Sequence, residues 1–328
     1  MVTCTIENVG FYKKLSDRTA VPGVRPARLN EDGRPYGHFR GRNKLDLNLG
    51  TEGFADLGGG DKFQSFFDYL KKTNPRGSSL EEVVDADFIS NRRILKQFTM
   101  AGHYVKAPLR ISAVRKNGVI FLCEVTDNSP NWEDPYPYGY KFEQYMTLDD
   151  NNQPYDKYAS VSNAESTKVT FRTTLTSENE TIKVFYAAEV DAIDSEGKFI
   201  EMKTSASSPA IWLKNKSLDH YAQSFLANIH SIVYGYKKVY REEVVYEVKE
   251  IPIGEIPGMV SQNLDTRFIW NFDKCLEKLF SILQEIKSRL QYDDEALTVH
   301  VTKDGVLYEP EEADNCTFVD PQFLRHFD

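Results

Sequence analysis

Glu189, Asp191, Glu201 and Lys203 fall at alternate positions on either side of a short polar stretch. Residues 181–193 are rich in β-formers, and 198–204 resume a strand-like pattern. Asp194-Ser195-Glu196-Gly197 between them is turn chemistry, with Gly197 able to take the positive φ that closes a three-residue loop. If Asp194 and Lys198 flank that loop, Ile193 pairs with Phe199, Asp191 with Glu201 and Glu189 with Lys203. Side chains alternate along a strand, so the four polar residues share one face. A bulge at Gly197 would shift that register by one. Like charges set opposite one another are destabilising, and a purely structural hairpin would not favour Asp191 beside Glu201. A hard divalent cation such as Mg²⁺ or Mn²⁺ removes the objection, because it binds carboxylate oxygens. It would also polarise a phosphoryl oxygen and acidify a bound water. Lys203 would then orient that water or stabilise transition-state charge. The bland alternative is a solvated strand pair with exposed ion pairs.

Asp-x(n)-Glu-x-Lys across a hairpin resembles the PD-(D/E)XK nuclease core. The elements that must position it are legible around it. Residues 168–175, 181–193 and 198–204 read as an antiparallel meander carrying the acidic cluster. Leu218, Tyr221, Ala222, Phe225, Leu226 and Ile229 form an apolar stripe of a helix laid on the sheet, with Gln223 off the stripe and solvent-facing. Residues 232–240 and 243–251 read as two further strands. Lys116-Asn117-Gly118 signals a hairpin within 110–125. Residues 63–70 read as a helix stopped by Asn74-Pro75-Arg76-Gly77, with a second helix starting near Ser78-Ser79. Asp265 is a plausible N-cap for a long helix bearing Phe268, Phe272, Cys275, Leu279, Leu283, Ile286 and Leu290.

Other segments carry less. Residues 1–60 read as irregular and mildly basic, through Lys13, Lys14, Arg18, Arg25, Arg28, Arg34, Arg40, Arg42 and Lys44. They are either a surface-wrapping arm or a phosphate-contacting lip. Gly58-Gly59-Gly60-Asp61 lacks the Gly-Lys-Ser/Thr of a P-loop and reads as punctuation before a helix. Arg92 and Arg93 are either solvated or a bidentate phosphate clamp. Residues 132–138 are a Pro- and Tyr-rich loop, Glu143 has no local feature that marks it, and the acidic tail after Lys303 reads as loop.

The 328 residues carry a net charge of −9, with 20 Phe, 18 Tyr and 3 Trp to build a core. That charge argues against coating nucleic acid by bulk electrostatics, though not against a local basic groove. Cys4, Cys123, Cys275 and Cys316 form no CxxC, and the six histidines show no HxH or HExxH spacing. A disulfide framework or zinc site is therefore not indicated. The absence of a basic-then-apolar N-terminus or a bilayer-length apolar run points to the cytosol or nucleus, with no membrane partner. A single domain over 1–328 is expected, its motif-bearing core at 85–240.

Four separated segments together resemble the DXO family of RNA 5′-end decapping exoribonucleases. Gly139-Tyr140-Lys141-Phe142-Glu143 is similar to its Gly-Φ-x-x-Glu motif, Glu189-Val190-Asp191 to its Glu-Φ-Asp motif and Glu201-Met202-Lys203 to its Glu-Φ-Lys motif. Asn91-Arg92 resembles its arginine motif, where an aromatic residue often replaces Asn91. Tyr221-Ala222-Gln223-Ser224-Phe225 resembles its substrate-contacting glutamine segment. The resemblance implies an α+β fold of two packed, mostly antiparallel or mixed β-sheets flanked by helices. It implies Glu143, Asp191 and Glu201 as direct metal ligands, Met202 through its carbonyl and Glu189 through metal-bound water, around two Mg²⁺ or Mn²⁺ ions. Lys203 would contact the scissile phosphate or its nucleophile, and Arg92 and Gln223 the 5′-end phosphates, with Asn91 and Arg93 beside them. The implied activity is hydrolysis of incompletely capped, NAD-capped or triphosphorylated RNA 5′ ends, with 5′-to-3′ degradation of 5′-monophosphate RNA in some members. Family habit adds the nucleus and a 5′-to-3′ exoribonuclease partner. The rival readings are a generic PD-(D/E)XK deoxyribonuclease and a non-catalytic scaffold for such an exonuclease.

Overall fold

The computed structural model describes residues 1–31, 44–102, 109–125, 136–238, 242–302 and 304–328, and the backbone of Gly37–His38. Arg34, Arg40, Arg42 and the 132–135 part of the Pro- and Tyr-rich loop lie outside the described residues.

Thr181–Glu189 shows how the fold is built. Ile182, Val184, Tyr186 and Ala188 face one apolar cluster, while Phe185 faces another. A strand apolar on both faces belongs in the middle of a covered sheet, and that is where this one lies. Among the described residues nine strands form this sheet, in the order Gly305–Glu311, Ala296–Thr302, Leu109–Lys116, Val119–Glu124, Phe88–Asn91, Thr181–Glu189, Ser166–Thr176, Thr3–Lys14 and Ala20–Pro22. Phe88–Asn91 is parallel to both its neighbours and the other pairs are antiparallel. A second, six-stranded sheet runs Ala192–Ile193, Phe199–Ser205, Ile229–Lys237 and Val244–Pro252, with Gly37–His38 and Leu45–Asp46 both pairing the last. Phe199–Ser205 and Ile229–Lys237 are parallel, so the chain must cross over between them, and helices Pro209–Asn215 and Ser217–Phe225 do so.

Three apolar clusters hold these layers. The largest lies between the sheets and takes in Phe171, Tyr186, Phe199, Tyr234 and the buried stripe of helix Phe272–Arg289. On the far side of the large sheet, helix Gln64–Thr73 packs Phe66 and Phe67 against Phe121, Phe185 and Phe323. Under the small sheet, Phe142 and Met146 of helix Tyr138–Met146 meet Ile200, Met202 and Val233.

The fold bears out the expected mixed two-sheet α+β architecture and corrects several elements within it. The meander does not form. Ile193 pairs with Phe199 and Gly197 sits at φ 79° as expected, but pairing ends at Ala192 opposite Ile200. The chain leaves one sheet at Glu189, which pairs with Lys168, and enters the other at Ala192. Glu189 is therefore not opposite Lys203. The N-terminal arm is a 12-residue strand, Thr3–Lys14, whose alternation is broken by a register shift between Asn8 and Gly10. Gly10 is needed there because a Cβ would sit 2.3 Å from the Tyr69 hydroxyl. The acidic tail contains strand Gly305–Glu311, whose charges and Pro310 are tolerated because it is a sheet edge. Asn271, not Asp265, caps the long helix, and Asp265 caps a separate turn at Thr266–Phe268. The 218–229 stripe is cut short: the helix ends at Phe225 and Ile229 opens a strand. Helix Arg92–Met100 was not anticipated from the sequence.

Candidate active site

The switch between sheets at Val190-Asp191 places the acidic cluster. Val190 is buried in the inter-sheet core and anchors the crossing. Asp191 then turns to the second sheet, where its Oδ2 accepts a 2.6 Å hydrogen bond from the Met202 amide. Along Phe199–Ser205 the alternation sends Ile200 and Met202 into the cluster under the small sheet. Glu201 and Lys203 share the opposite face with Phe199. Glu201 is only 3% exposed, and three donors converge on it. Lys203 Nζ and Gln223 Nε2 donate to its Oε1, the latter at 2.9 Å, and Arg92 Nη1 lies 3.5 Å from its Oε2.

Each donor is set by a different element. Arg92 opens helix Arg92–Met100, whose N-cap is Asn91: its Oδ1 accepts from the Ile94 amide at 3.0 Å. That bond accounts for Asn91 as a structural cap. Arg93 points to Glu124 at 2.8 Å and is largely exposed, and so it is not part of the network around Glu201. One turn beyond Arg92, Lys96 pairs with Asp219 at 2.7 Å and ties this helix to Ser217–Phe225. The latter helix supplies Gln223. It also supplies His220, one turn earlier, whose Nδ1 accepts from the Trp212 indole N–H at 3.0 Å. Burial, then the Lys203 charge, push the His220 pKa down to about 4, so the ring is neutral. Sequence reading passed over His220, though its i, i+3 spacing from Gln223 was a usable signal.

Glu143 comes from helix Tyr138–Met146 and faces Asp191 and Glu189 across a cleft of about 640 Å³. Burial first, then the Asp191 and Glu189 charges, hold the Glu143 carboxyl well above the ordinary range. Asp191 is pushed up to about 8 by burial and then by Glu201. Burial would raise Glu201 too, but Lys203 and Arg92 outweigh it and its carboxyl is lowered. Lys203 is raised: burial opposes its charge, and Glu201 with Asp191 overcomes that. The centre thus gathers four carboxyl groups around two cations, and two of the four, Glu143 and Asp191, are raised. Among the described residues, no three acidic, His or Cys side chains already stand in a geometry that could hold one ion, and Glu201 is engaged by its donors.

The cleft wall also carries Lys13, Arg25 and Arg28. Three residues of the basic N-terminal segment therefore do reach the acidic cluster, as a phosphate-contacting lip would. Tyr140, one turn before Glu143, lines the same wall.

Carboxylates from two sheets and a helix, gathered with a lysine around a sheet-to-sheet crossing, are a nuclease-like arrangement. The family model described as RAI1-like PD-(D/E)XK nuclease matches residues 18–323. The chain belongs to this family. Among RAI1-like relatives, the Caenorhabditis elegans protein named decapping nuclease dom-3 is 28% identical over 306 residues, covering 86% of this chain and 75% of that protein. The human decapping and exoribonuclease protein is 28% identical over 213 residues, and the match spans 51% of its length. Two solved RAI1 structures share the fold. Candida albicans Rai1, in complex with pU5-Mn²⁺, superposes with a TM-score of 0.75 at 15% identity, covering 100% of this chain and 96% of that one. Scheffersomyces stipitis Rai1, with (3′-NADP)⁺ and calcium ion, gives 0.76 at 16% identity, covering 99% and 95%.

Proposed function

We propose that this chain is a divalent-metal-dependent hydrolase acting on RNA 5′ ends. One observation carries the reading: in a RAI1-like chain, Glu143, Glu189 and Asp191 line a cleft directly beside the Glu201–Lys203–Arg92–Gln223 network. The donor set fits a hard cation. Glu143 and Asp191 are raised by burial and by repulsion from neighbouring carboxylates, which a dication would replace by attraction. Glu143, Asp191 and Glu201 would hold it, with the Met202 carbonyl, and Glu189 through water. Glu201 must give up at least one present donor to take part. When bound, Mg²⁺ or Mn²⁺ supplies charge neutralisation at the phosphoryl group and a more acidic water. The residues do the rest. Lys203, freed from Glu201, reaches the scissile phosphate or the attacking water. Arg92 and Gln223 bind phosphate oxygens of the 5′ end, with the guanidinium fork suited to two of them. The bonds from Trp212 and the Lys96–Asp219 pair hold the helix carrying Gln223 in place. Lys13, Arg25 and Arg28 attract the RNA backbone. Decapping, pyrophosphohydrolase and 5′-to-3′ exonuclease activities share this chemistry. Nuclear residence and an exoribonuclease partner belong to the same proposal and rest on the family resemblance.

The test uses one RNA bearing in turn a 5′-triphosphate, an unmethylated cap, a methylated cap, an NAD cap and a 5′-monophosphate. Wild type and Asp191→Ala are incubated with Mg²⁺, Mn²⁺ or chelator, and the released 5′ product is identified. Metal-dependent release that disappears in the variant is expected. No release from any of the five RNAs by folded wild-type protein would overturn the reading in favour of a scaffold. Internal cutting of duplex DNA in preference to RNA ends would favour the deoxyribonuclease.

A further inference from the structure

A second, smaller cavity of about 210 Å³ adjoins the cleft, and the two share Tyr140, Asn163, Ser166 and Glu189 on their walls. Its other lining residues are Lys14, Asp56, Gly58, Gly59 and Lys168. Consecutive strand residues point opposite ways, so Lys13 reaches the large lobe and Lys14 the small one. Lys14 is 3% exposed, and its ammonium donates one hydrogen bond, 3.0 Å to the Ala164 carbonyl. Among the described residues it has no carboxylate partner. A buried ammonium with one neutral acceptor is costly unless something anionic completes its shell. The other polar groups of the lobe already have hydrogen-bond or ion-pair partners or face the shared wall. Lys168 is paired with Asp61 at 2.7 Å. The Asp56 carboxylate accepts from Asn163 at 2.7 Å and from the Gly58 amide at 3.1 Å. Glu189 belongs to the acidic cluster. Gly59 lies on the exposed rim of the lobe, where a Cβ built on it would meet no atom within 4 Å.

We propose that the small lobe is a subsite for a pyrophosphoryl leaving group, with Lys14 as its cation, while the RNA body occupies the large lobe. This rests on the reading of the cleft as an RNA 5′-end hydrolase site. The lobe begins at Glu189, beside the carboxylates that would surround the scissile phosphorus, and leads away from Arg25 and Arg28. Its lining is polar and its volume suits two phosphates better than a nucleoside. In the reaction assigned here, the oxygen of water bonds to the α-phosphorus and the bridging P–O bond to the β-phosphate breaks. The products are 5′-monophosphate RNA and pyrophosphate, and the water's proton passes to solvent. Lys14 would neutralise the charge that develops on the departing β-phosphate oxygens. It therefore favours 5′-triphosphate ends over 5′-monophosphate ends, which place no phosphate in the lobe.

Lys14→Gln and Gly59→Leu test this, the first by removing the cation and the second by narrowing the mouth of the lobe with bulk on its rim. The readout is the ratio of kcat/KM for 5′-triphosphate RNA to that for 5′-monophosphate RNA, together with inhibition by inorganic pyrophosphate. Loss of one charge-assisted contact in Lys14→Gln should lower the ratio and weaken pyrophosphate inhibition by roughly tenfold, and obstruction in Gly59→Leu should move both in the same direction. An unchanged ratio and unchanged inhibition in the folded variants would overturn the subsite. Should Lys14→Gln fail to fold, Gly59→Leu alone decides. Should wild type hydrolyse neither RNA, the hydrolase reading falls, and calorimetric binding of pyrophosphate still tests the lobe. Binding that both variants lose supports an anion site, and equal binding by all three proteins refutes it.

Discussion

The middle and the C-terminal end of strand Thr181–Glu189 belong to opposite kinds of environment. Near its middle, Phe185 stacks on Phe66, and the same cluster holds Phe67 against Phe323 with ring centroids 4.0 Å apart. These phenylalanine rings are held by contact alone. At its C-terminal end, Glu189 opens the acidic cleft, where burial and neighbouring carboxylates raise the pKa of Glu143 and of Asp191, and Glu201 is held by two cations and an amide. One region is built to be stable and the other to hold charge that folding alone does not favour. The aromatic layer offsets the cost of the cleft, since both hang on the same backbone.

That contrast makes opposite predictions for substitutions. Asp191→Ala should reduce RNA 5′-end hydrolysis by about 10³-fold or more, as chelator should in wild type. Its thermal midpoint should not fall, because a repelled carboxylate has been removed. A fall as large as that of a core variant would erase the distinction. Phe67→Ala should do the reverse, costing about 3–5 kcal/mol in urea unfolding while turnover per folded molecule stays near wild type. Asp61 lies where the regions meet, bonded to Ser65 of the aromatic layer's helix and to Lys168 beside Glu189. Burial opposes its charge, but Lys168 and Ser65 prevail and lower its pKa. A depressed carboxyl contributes stability above the unfolded pKa and loses it as pH falls through the folded value. Asp61→Asn should therefore lower stability near neutrality and converge with wild type as pH falls through the folded value, which flattens the acid limb of the stability curve. A variant whose acid limb matches wild type would show that other carboxylates set it. The smallest effect is at the cap. Asn91→Ala should cost about 1 kcal/mol and loosen Arg92, whereas Asn91→Ser should restore both. If Ser restores stability without activity, Asn91 touches substrate.

How much of this the sequence revealed follows the same division. Local chemistry was readable. Asn117 and Gly118 both take positive φ in a two-residue hairpin, and Gly197 closes the loop that pairs Ile193 with Phe199. The hairpin spacing picked out Asp191, Glu201 and Lys203 and the family resemblance Arg92 and Gln223; the fold joins Arg92, Lys203 and Gln223 to Glu201, with Asp191 tied to the same strand through the Met202 amide. The sheet each strand joins was not readable, because alternation reports which face is buried and not which neighbour is paired. Glu189 opposite Lys203 was the natural extension of the hairpin, and only the crossing at Val190 forbids it. Strand Thr3–Lys14 escaped notice because its bulge breaks the alternation. Helix Arg92–Met100 carried a stripe in Ile94, Leu95 and Phe98, overshadowed by two arginines read for their charge alone.

The crossing at Val190 has a mechanical meaning. Glu189 rides on one sheet and Asp191 on the other, joined by a single residue. Any breathing of the two sheets stretches or relaxes that link, so the spacing of the carboxylates gauges how far apart the layers stand. A ligand that bridges them acts as a clasp. Amide hydrogen exchange at Ala192 and Ile193 should then slow when the cleft is filled, reporting occupancy from a place the ligand never touches.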